Sequence, residues 1–153
     1  MRGAALEAAI RIWDDVPGGE TMFEGFDIIH TYTRAQCIAD GGLVDLRQGE
    51  LEQLVVDAGI RVPIACTAAV FAQCIELTPA AVKACNDIKG RLWDVLWMFK
   101  CAARGAAGGG DTLYFELYVV RDRVRPTKTK LKAVIGPGDD GEPCITVLFP
   151  EED

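Results

Sequence analysis

The stretch KGRLWDVLWMFKCAAR, residues 89–104, constrains the fold more than any other part of the chain. Within residues 92–99, Asp94 is the only polar residue. A surface helix has a single apolar stripe, whereas a helix that is apolar almost all round is buried on several sides. We therefore predict a buried central helix at about residues 91–104, with the rest of the chain packed around it.

Length and charge restrict the classes of protein to which the chain can belong. Its 153 residues are typical of one domain, and we interpret residues 1–153 as a single domain with residues 1–20 as a loosely attached helical extension. The formal charge of −7 makes nucleic acid an unlikely partner, because nucleic-acid binding requires a basic surface. No apolar run reaches the roughly 18 residues of a membrane span, so we expect no membrane partner.

The six cysteines indicate the compartment and argue against a metal site. None is part of a CxxC pair, and the one histidine is distant from them in sequence, whereas zinc sites usually have closely spaced ligands. We interpret the cysteines as reduced thiols of a cytoplasmic protein and predict neither a metal nor another cofactor. The high apolar content is compatible with a homo-oligomer, although no heptad pattern requires one.

Local signals predict a run of short helices followed by strands. Thr33 with Gln36 is a capping box, Gly41 ends that helix, and Thr67 and Thr78 are further expected caps. After an Ala/Gly-rich connector, alternating apolar residues predict strands at residues 113–119 and 131–135, and a run that is apolar on both faces predicts a central strand at residues 144–149. We therefore predict an α+β fold in which the central helix packs on a C-terminal three-stranded antiparallel meander. The runs at residues 43–46 and 61–65 are also extended in this interpretation.

Four blocks of the chain resemble an uncharacterised family of small bacterial proteins. They read DIIHTYTRAQCIADGGLVDL, RVPIACTAAV, GRLWDVLWM and GPGDDGEPCITVLFPEED, in that order. The resemblance covers about residues 24–153. Such proteins are often found on plasmids, prophages and other mobile elements. The resemblance implies a bacterial cytosolic setting and supplies no catalytic residues.

A polar junction at the start of the first capped helix is the main candidate site. His30, Tyr32, Thr33 and Arg34 lie where an extended run meets a helix N-terminus, and such ends bind anions through free amides and the helix dipole. Alternatively, these residues only support the fold: His30 bonds a backbone carbonyl, Thr33 caps the helix, and Arg34 pairs with an aspartate at position 40 or 45.

Asp94 is the remaining residue of the candidate site, since it is a carboxylate in an otherwise apolar helix. An isolated buried carboxylate is costly and must be paired, hydrogen-bonded or protonated. It could pair with Arg91, three residues earlier on the same helix face, or it could meet His30 or Arg34 across the core. Trp93 and Trp97 are four residues apart, and we expect both of them in the core. The loop GPGDDGE and the acidic C-terminus are expected to be solvated.

Two functions of different classes remain open from the sequence. The chain has no serine and no recognisable nucleophile–base motif, which favours a non-enzymatic protein-binding accessory factor. The alternative is a small nucleotide-binding enzyme loosely like an ADP-ribosyltransferase fold, with His30 at the site and Glu116 or Glu142 as the late glutamate. The enzyme hypothesis requires His30, Tyr32 and one of these glutamates to converge on one cleft.

Overall fold

The computed structural model describes residues 32–106 and 110–153. The predicted N-terminal helical extension and His30 lie outside these ranges. The helices are α1 (Arg34–Ala39), α2 (Glu52–Asp57), α3 (Ala68–Val70), α4 (Pro79–Lys83) and α5 (Ile88–Gly105). The strands are β1 (Leu43–Asp45), β2 (Ile64–Thr67), β3 (Thr112–Val119), β4 (Thr127–Pro137) and β5 (Pro143–Leu148). A 3₁₀ turn at Gly49–Leu51 precedes α2, and a π-helical turn at Phe71–Ile75 extends α3.

The α+β class is confirmed, but the sheet is larger than predicted. Its five strands lie in the order β1-β2-β5-β4-β3. β3, β4 and β5 form the expected antiparallel meander. β2 then pairs in parallel with β5, and β1 pairs antiparallel with β2, which makes the sheet mixed. The two short extended runs of the first half of the chain therefore belong to the same sheet as the C-terminal strands.

Side-chain caps fix the helix boundaries where the sequence predicts them. Thr33 and Gln36 form the complete capping box of α1, and Gly41 adopts a left-handed conformation just after that helix. The Thr67 and Thr78 hydroxyls accept from the amides of Val70 and Ala81 at 3.3 and 3.1 Å. Each cap satisfies an amide that has no partner within its own helix.

One hydrophobic core lies between a single face of the sheet and the helices α2, α3 and α5. The buried side of α5 consists of Leu92, Val95, Leu96 and Phe99, and the Phe99 ring meets that of Phe115 in β3 edge-on at 6.0 Å. α1 lies on the opposite face, because Arg34 bonds Thr146, whose β5 neighbours point into the core.

α5 was predicted to be buried on several sides, and this is correct for its inner face and wrong for its outer face. Asp94, Trp97, Met98 and Cys101 form an exposed face, with Trp97 44% and Met98 37% exposed. These four residues are spaced at i, i+3, i+4 and i+7, which is the spacing of one helix face. The helix therefore has one buried and one exposed face, and two residues of the exposed face, Trp97 and Met98, are large and apolar.

The C-terminus is bonded to the sheet rather than solvated along its whole length. The Glu152 carboxylate accepts from the Thr67 hydroxyl at 2.9 Å and from the Phe149 amide at 2.8 Å. The Lys132 ammonium donates to the carbonyls of Pro150 and Glu152. The chain end thus ties β2 to β4 across β5.

A buried arginine joins three segments beside the core. The Arg91 side chain is 5% exposed and donates to the carbonyls of Gln73, Ile75 and Val120 at 2.9, 3.2 and 2.8 Å. It also donates to the Asn86 side chain at 3.2 Å. Desolvation lowers the pKa of the guanidinium, and the hydrogen bonds compensate part of that cost.

We expect Arg91→Met to lower the free energy of unfolding by about 2–4 kcal/mol, because buried carbonyls lose their donor. Urea denaturation measures this loss. Arg104→Met, on the exposed last turn of the same helix, is the matched control and should change stability by less than about 0.5 kcal/mol. Equal stabilities of the two variants would contradict the role given to Arg91.

Candidate binding site

The helix N-terminus predicted to attract an anion is occupied by a carboxylate of the protein itself. The amides of Arg34 and Ala35 donate to the two oxygens of Asp139 at 2.7 and 2.9 Å. Asp139 belongs to the loop between β4 and β5, which was expected to be solvated. The junction therefore has the chemistry of an anion site, and its anion comes from within the chain.

The side chains at this junction also bind neighbouring protein groups. The Arg34 guanidinium donates to the Thr146 hydroxyl at 2.6 Å and to the Ile145 carbonyl at 2.8 Å. The Tyr32 hydroxyl donates to the Asp40 carboxylate at 2.6 Å, and this bond raises the pKa of Tyr32 to about 12. Tyr32, Thr33 and Arg34 thus lie together at the start of α1.

The residues of the alternative enzyme interpretation lie in two places. Glu142 is in the β4–β5 loop, where its carboxylate accepts from the Asp140 amide at 3.0 Å, so it shares the α1 end of the sheet with Tyr32. Glu116 lies on β3 and forms an ion pair with Lys128 at 2.7 Å. Asp94 is on the exposed face of α5. His30 lies outside the described residues.

We expect Asp139→Ala to loosen α1, because two helix amides lose their acceptor; the cost should be about 1 kcal/mol. Hydrogen exchange at the Arg34 and Ala35 amides should become faster. Asp140→Ala is the control, since the side chain of the neighbouring aspartate does not contact α1 in the described structure. Unchanged exchange in Asp139→Ala would show that the carboxylate does not hold the helix.

A groove between the outer face of α5 and the outermost strand β3 is the second candidate, and the sequence interpretation missed it. It encloses about 410 Å³ and is lined by Asp94, Trp97, Met98, Glu116, Leu117, Tyr118 and Lys128. Tyr118 is 69% exposed, and with Trp97 and Met98 it gives the groove a largely apolar lining. Large apolar side chains that share one exposed concave surface are typical of binding sites.

Aromatic and charged contacts hold the groove's side chains in place. The Trp93 and Trp97 rings stack with centroids 5.9 Å apart, and Trp93 also packs against the core. Lys100 lies over the Trp97 ring at 5.8 Å. Trp97 was expected in the core, and this prediction is wrong for that residue. The stacked ring is instead presented to solvent on a rigid helix.

Asp94 forms the acidic part of the groove. Desolvation raises the pKa of its carboxyl, and the nearby Arg91 charge opposes that rise. The Arg91 guanidinium makes its hydrogen bonds to the carbonyls described above and to Asn86. Asp94 and Tyr118 also border a smaller cavity of about 180 Å³ that reaches Asn86 and Arg91. The groove therefore continues along α5 toward the buried arginine.

The described residues contain no grouping of three or more His, Cys, Asp or Glu side chains suited to a metal ion. None of the helices in those residues is long and apolar enough to cross a membrane. All six cysteines are free thiols. Burial raises the pKa of Cys66 to about 12 and that of Cys74 to about 11, which keeps both protonated near neutral pH.

Alkylation with iodoacetamide under native conditions should therefore distinguish the thiols. At pH 8 the exposed Cys85 and Cys101 should react first, while Cys66 and Cys74 should stay unmodified until the protein unfolds. Peptide mass spectrometry measures the order of modification. Because folding raises the pKa of the Cys66 and Cys74 thiols, the free energy of unfolding should also fall as the pH rises above about 8.5, the pKa of an unfolded thiol. Rapid modification of Cys66 in the folded protein would contradict its burial.

The model of a family of unknown function, DUF6573, matches residues 20–153. The chain belongs to this family. Comparison with curated proteins gave no match, and comparison with solved structures gave none. The match covers both the α1 junction and the groove.

Proposed function

We propose that the protein is a non-enzymatic binding factor that docks a partner protein in the groove between α5 and β3. The observation that carries this proposal is the exposure of Trp97, Met98 and Tyr118 along one concave surface. Aromatic residues and methionine are enriched in protein interfaces, where they supply large contact areas. The groove is too small for a whole domain, so a segment of the partner would enter it while the surrounding surface completes the interface.

The charge of the groove fits a partner protein better than a nucleic acid. The formal charge of the chain is −7, and Asp94 and Glu116 line the groove with one lysine, Lys128. A polyphosphate backbone would meet like charge there. The family resemblance suggests a bacterial cytosolic setting and a role in mobile-element biology.

The enzyme alternative has less support from the described residues. Tyr32 is bonded to Asp40, Glu116 is paired with Lys128, and Glu142 accepts from the Asp140 amide. Each of these side chains would have to leave its partner to act on a nucleotide. Thermal unfolding with NAD and other nucleotides tests this alternative, because a ligand at 100 times its dissociation constant stabilises by about 2.7 kcal/mol. A shift of this kind that disappears in His30→Ala would favour the enzyme.

The binding proposal predicts that Trp97→Ser with Met98→Ser removes partner capture from lysates of the native host, because the groove loses its apolar anchors. The captured protein should fall at least tenfold in quantitative mass spectrometry. Val82→Ser with Val124→Ser is the matched control, since both valines are exposed and lie outside the groove. Both double variants should remain folded at the assay temperature, which circular dichroism checks before capture is compared. Equal capture by the two doubles would contradict the proposal.

A further inference from the structure

The register of the sheet shows which backbone groups of β3 are available to a partner. β3 is the last strand in the sheet order, and among the described strands it pairs with β4 alone. The Ile135 amide donates to the Asp111 carbonyl at 2.7 Å, one residue before the pair Thr112 and Val134. In an antiparallel ladder, bonded and non-bonded pairs alternate. The amides and carbonyls of the following even-numbered residues therefore point away from β4: Thr112, Tyr114, Glu116 and Tyr118.

Among the described residues, this edge carries one charged side chain, Glu116, and lacks the bulge, proline and lysine that commonly protect sheet edges. The pairing of β3 with β4 continues without interruption over Thr112–Val119, so no bulge twists the edge away. β3 contains no proline and no lysine, the residues that usually discourage strand addition. Tyr114 and Tyr118 are both more than half exposed. A long, regular and aromatic edge is a suitable template for another strand.

The open edge and the groove form one surface. Leu117 of β3 and Trp97 and Met98 of α5 line the groove, and Glu116 and Tyr118 border it from the same strand. Side chains of a strand alternate between the two faces of a sheet. A strand added to β3 would thus place every second side chain against α5 and the others beside Tyr114, Glu116 and Tyr118.

We propose that an extended, basic peptide segment of a partner protein adds to β3 as a sixth strand, with its apolar side chains in the groove. This inference rests on the proposed function and specifies how the groove is used. Backbone hydrogen bonds to the edge supply affinity, and the pockets for alternate side chains supply specificity. The ligand is a short segment with apolar residues at alternate positions and a lysine or arginine among them.

Asp94 favours a basic residue on the groove side of the added strand, whereas Glu116 on the other face is already flanked by Lys128 and Lys130. Lys128 is already paired with Glu116, and Lys100 lies over Trp97. Asp94 has no ion pair within 4.0 Å among the described residues, and it borders an apolar groove that desolvates it. A cationic side chain from the added strand would give this carboxylate its partner.

A second copy of the chain fits this edge less well. When the two-fold axis lies at residue 115 or 116 of β3, antiparallel pairing of two copies brings the two Glu116 side chains opposite each other or onto neighbouring pairs. It also joins two chains that each carry a formal charge of −7 and adds no basic residue beyond those already present. A basic segment from another protein relieves the same charges.

The test begins with a displayed library of random nine-residue peptides selected on the full chain. We expect recovered peptides to alternate apolar residues with others and to include lysine or arginine. Their affinities are then measured by fluorescence anisotropy against Glu116→Pro and Glu116→Thr. Because the Glu116 amide points away from β4, proline removes an edge donor without breaking the ladder. Threonine keeps that amide and serves as the matched control.

Glu116→Pro should bind the peptide at least tenfold more weakly than Glu116→Thr, because both variants lack the carboxylate and only proline also lacks the outward amide. Asp94→Asn should weaken binding of basic peptides about three- to fivefold. If Glu116→Pro does not fold, the same peptide methylated at alternate backbone nitrogens gives the answer with unmodified protein. Equal affinity for methylated and unmethylated peptide would overturn strand addition.

The remaining outcomes separate this inference from the proposed function. If the library yields no peptide while host-lysate capture still requires Trp97 and Met98, strand addition is wrong and the binding function stands. If the library yields no peptide and host-lysate capture does not depend on Trp97 and Met98, both proposals are wrong. A dimer in sedimentation that Glu116→Pro dissociates would make a second copy the occupant. Peptide binding that appears only after removal of residues 1–19 would make the chain's own N-terminal segment the occupant; either result overturns the partner peptide.

Discussion

The hydrogen bonds of the Arg91 guanidinium fix the arrangement of segments that also meet in the core beside it. They link the end of the π-helical turn, at Gln73 and Ile75, to the residue that follows β3, Val120. Because the guanidinium has a rigid fork of donors, it fixes both the distance and the orientation of these segments. The position of α5 against the end of β3, and hence the shape of the groove, depends on this buried cation.

Features that depend on neighbouring residues in the sequence could be predicted. The capping box of Thr33 and Gln36, the left-handed Gly41 and the strand alternation in β3 arise from interactions within a few residues. The order of the strands could not be obtained in this way. The parallel pairing of β2 with β5 joins residues about 80 positions apart, and no local pattern encodes that partner.

In the candidate site, too, the local features could be predicted from the sequence and the long-range contacts could not. Thr33 and Arg34 were recognised as an anion-binding helix start, but the anion is Asp139, more than 100 residues later. The central helix was interpreted as buried because Trp97 and Met98 are apolar. Hydrophobicity alone cannot distinguish an apolar residue in the core from one exposed for binding. A signal was available: Asp94, Trp97, Met98 and Cys101 share one helix face that begins with a charged residue.

The α1 junction and the β3 edge therefore differ in what a ligand would have to displace. At the α1 junction, Asp139 and Thr146 already satisfy the amides and the guanidinium, so a ligand there would have to displace intramolecular bonds. At the β3 edge, the outward backbone groups face no described strand, and the apolar side chains nearby face solvent. Binding at the edge adds hydrogen bonds and buries apolar surface without breaking the fold. The difference in cost is why the groove, rather than the polar junction that the sequence highlights, is the better candidate for function.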